Sequence, residues 1–230
     1  DPLGSEGLAQ LTGHLMRRGP QGVSQQRFDE QLATLGARLS VEVSMRSTRV
    51  RVTVLRRNLV PLLDLVARLV WRPALRSGDF AKLKRQARAA LVARLDDDQT
   101  LGALRFRAEL FGDHPYGRTL GGTAATIRRI RVEHAREFYR QNLESAPFVV
   151  GVAGDIDEDE AGSLVASHFP ELRACKRRDA DVPRTRARRG RRVIIVDKPE
   201  RMQTQLFLGT LGARTRDPKL FPLIVSNTAF

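Results

Sequence analysis

The spacing of apolar residues along the chain first favours helices and then switches to strands. Leucines recur every three to four residues after Ser5, which predicts a helix over 5–18 that Ser5 caps and Gly19-Pro20 ends. Similar spacing predicts a second helix over 25–35. Two segments of alternating apolar and polar residues then predict the half-buried strands of an antiparallel hairpin: 39–43 and 50–54.

The rest of the chain is predicted to be mostly helical, with short strands in its second half. A long helical region over 79–111 is expected to bend at Asp96-Asp97-Asp98. Further helices are predicted over 59–71, 124–130, 132–142, 157–169 and 217–230. A buried strand is predicted over 148–153, and two more over 193–196 and 205–208. This order of elements predicts an α+β fold, with helices on one face of a largely antiparallel sheet.

The formal net charge of +14 is concentrated in one segment of the chain. Residues 173–192 contain ten Lys or Arg and two Asp, so their net charge of +8 is more than half of the total. Because this segment also contains Pro183 and Gly190, we expect a solvated, mobile linker. Such a segment would also attract polyanions, but it has no aromatic residue to stack on bases, which disfavours nucleic acid.

Length and cysteine content exclude some classes of protein. The 230 residues suffice for one large domain with a hydrophobic core, or for one domain and part of another. The longest apolar runs are too short to span a bilayer, and the single Cys175 excludes an internal disulfide. The chain begins at Asp1-Pro2 with no visible signal peptide, so we expect a fragment of a soluble protein of open compartment, cytoplasmic or periplasmic.

The candidate chemistry lies in the first predicted helix. The inverted zinc-peptidase motif H-x-x-E-H places two zinc-binding histidines and a base glutamate on one helix. Aligned on its last histidine, this chain has Gln10 and Gly13 in place of the first histidine and the glutamate, and only His14 is kept. The residues around the motif are typical of such a helix, but two of its three functional positions are not.

Other segments of the chain are also similar to those of proteins that carry this motif, and they follow one another in the same order as in those proteins. They are Arg18-Gly19, Gly36-Ala37-Arg38-Leu39, His114-Pro115-Tyr116-Gly117-Arg118, Gly121-Gly122-Thr123, Glu137-Phe138-Tyr139, 149–157, Lys198-Pro199 and Gln203-Thr204-Gln205. Together they resemble the M16 family of metallopeptidases, which contains pitrilysin, insulin-degrading enzyme and mitochondrial processing peptidase. The resemblance implies an α+β two-layer sandwich, with a largely antiparallel sheet covered by helices on one face, and two such domains per subunit.

The resemblance also implies a division of the chain. The first M16-like domain would cover 1–172 and would lack the strands that normally precede the motif helix. An Arg-rich linker over 173–192 would lead to the start of a second M16-like domain over 193–230. The family's substrate-gripping residues in that second domain are expected beyond Phe230.

The third zinc ligand of the family is a glutamate on a later helix, which the resemblance places near Leu91. The corresponding residues 84–94 contain no Asp, Glu or His. A catalytic zinc needs three protein ligands and a water, with a carboxylate nearby to accept the proton. The amide of Gln10 is a poor zinc ligand, and Gly13 has no side chain. We therefore expect no catalytic, metal-binding or cofactor-binding residue in this chain.

The remaining candidate groups are predicted to be structural. His14 alone makes no metal site, and the other three histidines lack ligand spacing to one another: His114, His134 and His168. The run Asp96-Asp97-Asp98 lacks the glycine and flanking ligands of a calcium loop, so a solvated helix bend is expected. Ser5 and Cys175 have no evident partner base for nucleophilic catalysis.

The resemblance implies a non-catalytic subunit of an M16-type zinc peptidase. In the family two halves enclose a chamber, and one half can carry the zinc while the other supplies walls and peptide contacts. This chain would be the zinc-free half of a heterodimer similar to a bacterial processing peptidase. It would hold an unfolded peptide opposite a partner with H-x-x-E-H and zinc. Three alternatives stay open: a structural or assembly protein, a nucleic-acid-binding protein that uses 173–192, and a hydrolase with an unrecognised site.

Overall fold

A computed structural model of the chain describes residues 1–144, 146–170, 182–185, 190–214 and 216–228. By its contacts the chain divides into two compact units. Unit 1 comprises Asp1–Ala93 and Thr119–Asp181, and unit 2 comprises Arg94–Arg118 and Val182–Phe230. Most of the Arg-rich linker expected over 173–192 lies outside the described residues, and the domain boundaries at 172 and 193 stay a prediction.

The described residues form helices and one antiparallel hairpin, which confirms the predicted α+β class. The helices in chain order are α1 (Leu8–Met16), α2 (Gln25–Thr34), α3 (Leu59–Trp71), α4 (Ser77–Asp96), α5 (Asp98–Phe111), α6 (Ala124–Arg129), α7 (Val132–Tyr139), α8 (Glu158–His168) and α9 (Leu220–Thr228). The hairpin consists of β1 (Arg38–Val43) and β2 (Thr48–Thr53), with Val41 opposite Val50. The side chain and backbone of Ser44 close the turn on Ser47, where the sequence predicted it.

Unit 1 contains two hydrophobic cores. The first joins α1 to α4, α6 and α7 through residues such as Leu11, Leu15 and Ile127. The second joins α2, the hairpin, α3 and α8 around Phe28 and Leu69, neither of which has any exposed surface. Each fully buried side chain of this kind stabilises the fold by about 1.5–3 kcal/mol. Because α1 also packs on β1, it is held between the first core and the hairpin.

The start of α1 differs from the prediction. Ser5 does not cap the helix; the helix begins at Leu8, and the carboxylate of Asp1 accepts hydrogen bonds from the backbone N–H groups of Gly7 at 2.9 Å and Ala9 at 2.7 Å. Gly7 itself has a φ of +99°, a left-handed conformation that favours glycine. The cap was missed because it comes from a carboxylate outside the helix, and local sequence pattern does not report such a fold-back.

The predicted bend in the long helical region is present as a full break between α4 and α5. Asp97 lies at the break, and its carboxylate accepts a hydrogen bond from the backbone N–H of Thr100 at 3.1 Å. Hydrogen bonds from the side chain and backbone of Thr100 hold the pKa of Asp97 below its usual value. The expectation of a helix bend rather than a calcium loop therefore fits the role that Asp97 has as the N-cap of α5.

The three strands predicted in the second half of the chain are wrong for the structure as described. Residues 148–153 are extended but pair with no described segment, and Val149 is 96% exposed instead of buried. Residues 193–196 and 205–208, in unit 2, are likewise unpaired, and most of their apolar side chains are exposed. An apolar run becomes a buried strand only where neighbouring strands satisfy its backbone and cover its faces.

Unit 2 is organised around α5. Asp98 at the start of α5 forms ion pairs with Lys198 and, at 3.3 Å, with Arg201. The rings of Phe106 and Phe207 stack with their centroids 6.4 Å apart. The segment that follows Gly190 is thus fastened to α5 by charge and by aromatic contact rather than by a strand ladder. The last predicted helix is observed as α9, and residues 229–230 lie outside the described part of the chain.

Candidate functional site

The motif helix α1 places its three diagnostic positions in three different environments. Gln10 is half-buried, Gly13 is buried and His14 is exposed. The helix is held by its leucines, which recur on the side that faces the first core. The helix that carries the zinc ligands in the resembled motif is therefore present and well packed.

Gly13 lies directly against the hairpin. A Cβ atom at this position would lie 2.5 Å from Val43 Cγ2 and 3.5 Å from Val41 Cγ1. The first distance is far below van der Waals contact, so β1 occupies the space in which a side chain would begin. A glutamate at position 13 does not fit unless Val43 moves, and the position of the catalytic base is thus filled by packing.

His14 keeps an imidazole on the exposed side of α1. Desolvation by the surrounding protein, and then the positive charge of Arg18, lower the pKa of His14 below its ordinary value of 6.5. The neutral ring is the form that binds metals, so protonation is not what prevents a zinc site here. What is missing is a set of partners for the ring.

The helix expected to carry the third ligand does lie beside α1. Arg18, just after α1, donates a hydrogen bond from Nη2 to Gln86 Oε1 of α4 at 3.3 Å. Leu91, the position marked from the sequence, is half-buried and packs against the core that also holds α1. An apolar side chain in the core stands where the resemblance places a carboxylate, so α4 keeps its packing role without a ligand.

The residues present do not fit a catalytic zinc. In the part of the chain that the structure describes, no three His, Cys, Asp or Glu side chains lie close enough together to hold a metal ion. Around the motif itself, His14 is the sole imidazole, Gly13 has no room for a carboxylate, and residues 84–94 offer no acid. The absence of a metal site in this chain stays a prediction, which metal analysis of the purified chain tests.

The other histidines have local structural contacts. His114 Nδ1 accepts a hydrogen bond from the backbone N–H of Tyr116 at 3.1 Å, and its Nε2 lies 2.8 Å from the carbonyl oxygen of Pro183. His134 Nδ1 accepts from the backbone N–H of Arg131 at 3.1 Å, and His168 Nε2 lies 3.5 Å from Asp64 Oδ1. The structure brings none of the three to His14 among the contacts of the described residues.

A cluster of cations beside α4 includes Arg131 from a distant segment, which the sequence did not connect to the cations of α4. Lys84 Nζ donates hydrogen bonds to the carbonyl oxygens of Arg128 at 2.8 Å and Ile130 at 2.7 Å, which fixes its ammonium at the end of α6. Burial, and then the charges of Arg88 and Arg131, lower the pKa of Lys84. The signal in the sequence is that residues 80–95 contain five Lys or Arg and no acid.

Comparison with known proteins identifies the family of the chain. Residues 1–124 match the family described as Insulinase (Peptidase family M16), and residues 129–230 match the one described as Peptidase M16 inactive domain. An uncharacterized zinc protease of Mycobacterium leprae is 29% identical over 207 residues, which cover 88% of this chain and 46% of the relative. The non-peptidase homolog YmxG of Helicobacter pylori is 23% identical over 154 residues, 67% of this chain and 36% of the relative.

A solved structure shows the same fold. The peptidase M16 inactive domain from Pseudomonas fluorescens matches with a TM-score of 0.71 at 21% identity, over 80% of this chain and 45% of that one. The fold of this chain is thus that of an M16 structure. The chain belongs to peptidase family M16 and lacks the H-x-x-E-H motif.

Two further facts bound what this membership means. The chain spans about half the length of the curated relatives it matches, such as 46% of the Mycobacterium leprae protein. None of the helices in the described part of the chain combines the length and hydropathy needed to cross a bilayer.

Proposed function

We propose that this chain is a non-catalytic M16 subunit that contributes peptide contacts and part of a chamber wall opposite a zinc-bearing partner. The partner is an M16 subunit with an intact H-x-x-E-H motif, and the substrate is an unfolded peptide. Zinc and the base glutamate belong to the partner. The chain itself performs no peptide hydrolysis.

The observation that carries the proposal is the contact between Gly13 and Val43. With a Cβ position only 2.5 Å from Val43 Cγ2, the base position is closed by the hairpin rather than left open. A metal site that had merely lost a ligand would keep room for it. The packing therefore supports a chain that retains the fold for a purpose other than its own catalysis.

The relatives give coarser support in the same direction. One match is named a peptidase M16 inactive domain, and another is named a non-peptidase homolog. Several others are named uncharacterized zinc proteases, so active and inactive names occur side by side among the proteins that this chain resembles. A pairing of one active and one inactive subunit is consistent with that mixture.

Reconstitution with a catalytic partner tests the proposal. The full chain is co-expressed with an M16 subunit from the same genome that carries H-x-x-E-H, and zinc content and cleavage of an unfolded peptide are measured. We expect the two chains to co-purify, zinc to follow the partner, and cleavage to rise when this chain is added. Equal activity of the partner with and without the chain would overturn the proposal and favour a structural or assembly protein.

A matched variant separates a specific contact from a general effect of the added protein. The partner's base glutamate is changed to glutamine, and the unchanged chain is added to it. We expect no cleavage from that pair, because this chain supplies no second site. Cleavage that persists without the partner's glutamate would place a hydrolytic site in this chain and contradict the non-catalytic assignment.

A further inference from the structure

Four cations lie on or beside α4 in unit 1. Lys84 is fixed at the end of α6 by two backbone carbonyls, which places it one residue from the exposed Arg131. Arg88 lies one turn beyond Lys84 on the same helix, and Arg85 lies one turn before Arg88. We name this set the α4 basic surface: Lys84, Arg85, Arg88 and Arg131.

The charges of the α4 basic surface are not neutralised within the described residues. None of its four members forms an ion pair with a described carboxylate, whereas many other arginines do, such as Arg17 with Asp29 at 2.9 Å. The nearest acid in the sequence is the exposed Glu133, two residues after Arg131. The other acid near the start of α4, Asp79, is taken by Arg76 at 3.2 Å.

The cations of the α4 basic surface repel one another. The pKa of Lys84 is lowered first by burial and then by repulsion from Arg88 and Arg131, so the folded protein holds these cations closer than they would lie in the unfolded chain. An anionic ligand relieves that repulsion, and the gain from binding is then larger than for isolated surface charges. The arrangement is complementary to a row of carboxylates.

We propose that the α4 basic surface docks acidic segments of unfolded peptides, rich in Asp and Glu. This inference rests on the proposed function, because it names the class of peptide that the non-catalytic subunit holds. Acidic peptide is favoured over nucleic acid because the exposed residues of α4 between Lys82 and Leu95 include no aromatic side chain on which bases could stack. An extended peptide with repeated carboxylates matches cations spaced along α4, with Arg131 beside Lys84.

Binding to the isolated full chain tests the inference without a partner. The probes are a fluorescent peptide of Asp, Glu, Gly and Ser, its Asn and Gln counterpart, and an oligothymidylate, each titrated at low and high salt. We expect the acidic peptide to bind at least about tenfold more tightly than its neutral counterpart at low salt, and to lose that advantage at high salt. Equal binding of the acidic and neutral peptides would overturn the inference.

Charge-matched variants locate the surface. Arg85, Arg88 and Arg131 are changed together to Gln, and the control changes Arg51, Arg57 and Arg68 to Gln, so both lower the net charge equally. The control arginines are exposed and belong to the segment from β2 to α3, which packs on the other core. Lys84 is left unchanged, because it supports the backbone at the end of α6.

We expect the α4 variant to weaken acidic-peptide binding by roughly tenfold and the control by less than about twofold. Equal weakening would mean that total charge alone attracts the peptide, and it would overturn the docking surface. Tighter binding of oligothymidylate than of acidic peptide, lost in the α4 variant, would replace the inference with nucleic-acid binding. Because no partner is present, these outcomes are separate from failure of reconstitution, which tests only the proposed pairing.

Discussion

Helices α1 and α4, on which the family resemblance places the zinc ligands, differ in how far their side chains are packed. Helix α1 is covered on both sides, by the first core and by the hairpin, and its base position is closed by Val43. Helix α4 buries only Phe80 and Leu83, and most of its later residues are exposed and often cationic. Packing therefore constrains α1 on both sides, whereas the exposed side of α4 has few packing constraints.

This difference implies opposite responses to substitution. A substitution on α1 alters packing or capping and therefore changes the free energy of unfolding. A substitution on the exposed side of α4 alters long-range electrostatics and the affinity for charged ligands, and it changes the free energy of unfolding little. Substitutions on the two helices test this difference, from the largest expected effect to the smallest.

The strongest test is to add a side chain to Gly13. We expect Gly13→Glu to lower the free energy of unfolding by about 3 kcal/mol, and Gly13→Ala by about 1–2 kcal/mol, because either forces Val43 out of its place. Denaturant unfolding of the full chain measures both. The matched control is Gly162→Ala in α8, where nothing lies within 4 Å of the new Cβ; it should be neutral or stabilising by about 0.5–1 kcal/mol.

A second substitution identifies the cause. In a Val43→Ala background, Gly13→Ala should destabilise the protein by at least about 0.5 kcal/mol less than it does alone, because the clashing methyl group is gone. If the two effects simply add, the hairpin does not fill the base position, and the contrast between α1 and α4 loses its main support.

The cap of α1 gives the next largest effect. We expect Asp1→Ala to lower the free energy of unfolding by about 1 kcal/mol, because the N–H groups of Gly7 and Ala9 lose their acceptor. Thermal unfolding measures the change. Ser5→Ala serves as the control, because the Ser5 side chain makes no capping hydrogen bond, and its backbone carbonyl, which accepts from the Leu8 N–H at 3.1 Å, is kept. If Ser5→Ala lowers the free energy of unfolding more than Asp1→Ala does, Ser5 rather than Asp1 caps α1, as the sequence predicted.

The exposed side of α4 should tolerate change. We expect Arg85→Gln with Arg88→Gln to alter the free energy of unfolding by less than about 0.5 kcal/mol, since neither arginine forms an ion pair with a described residue. The change is measured beside Gly13→Ala under the same conditions. A loss as large as that of Gly13→Ala would show that α4 is as constrained as α1.

The smallest expected effect is a pH dependence from His14. Because the folded-state pKa of His14 is lowered, the unfolded chain binds the proton more readily, and stability falls as the pH drops through the ordinary histidine range near 6.5 towards the folded pKa. His14→Gln removes this contribution, so its stability relative to the parent should improve slightly between pH 7 and pH 5. The effect is small because His14 is exposed, and a variant that loses relative stability on acidification would reverse the sign of the shift.

Sequence pattern was most successful where local signals agree. The alternation over 39–43 and 50–54 located β1 and β2, and the aspartate run located the break that Asp97 caps. It failed for 148–153, 193–196 and 205–208, because apolar composition predicts burial but says nothing about which neighbour provides it. The helix that carries Gln10, Gly13 and His14 was predicted, whereas the contact of Gly13 with Val43 was not.

The sequence by itself determined the α+β class, the membership of family M16 and the loss of the motif, since each depends on residue identities in order along the chain. Only the tertiary structure decided that Gly13 is closed by the hairpin, that Asp1 caps α1, and that Arg131 lies beside the cations of α4. Those three facts depend on which distant segments meet. Contacts of that kind are set by the packing of the whole unit, and no local pattern encodes them.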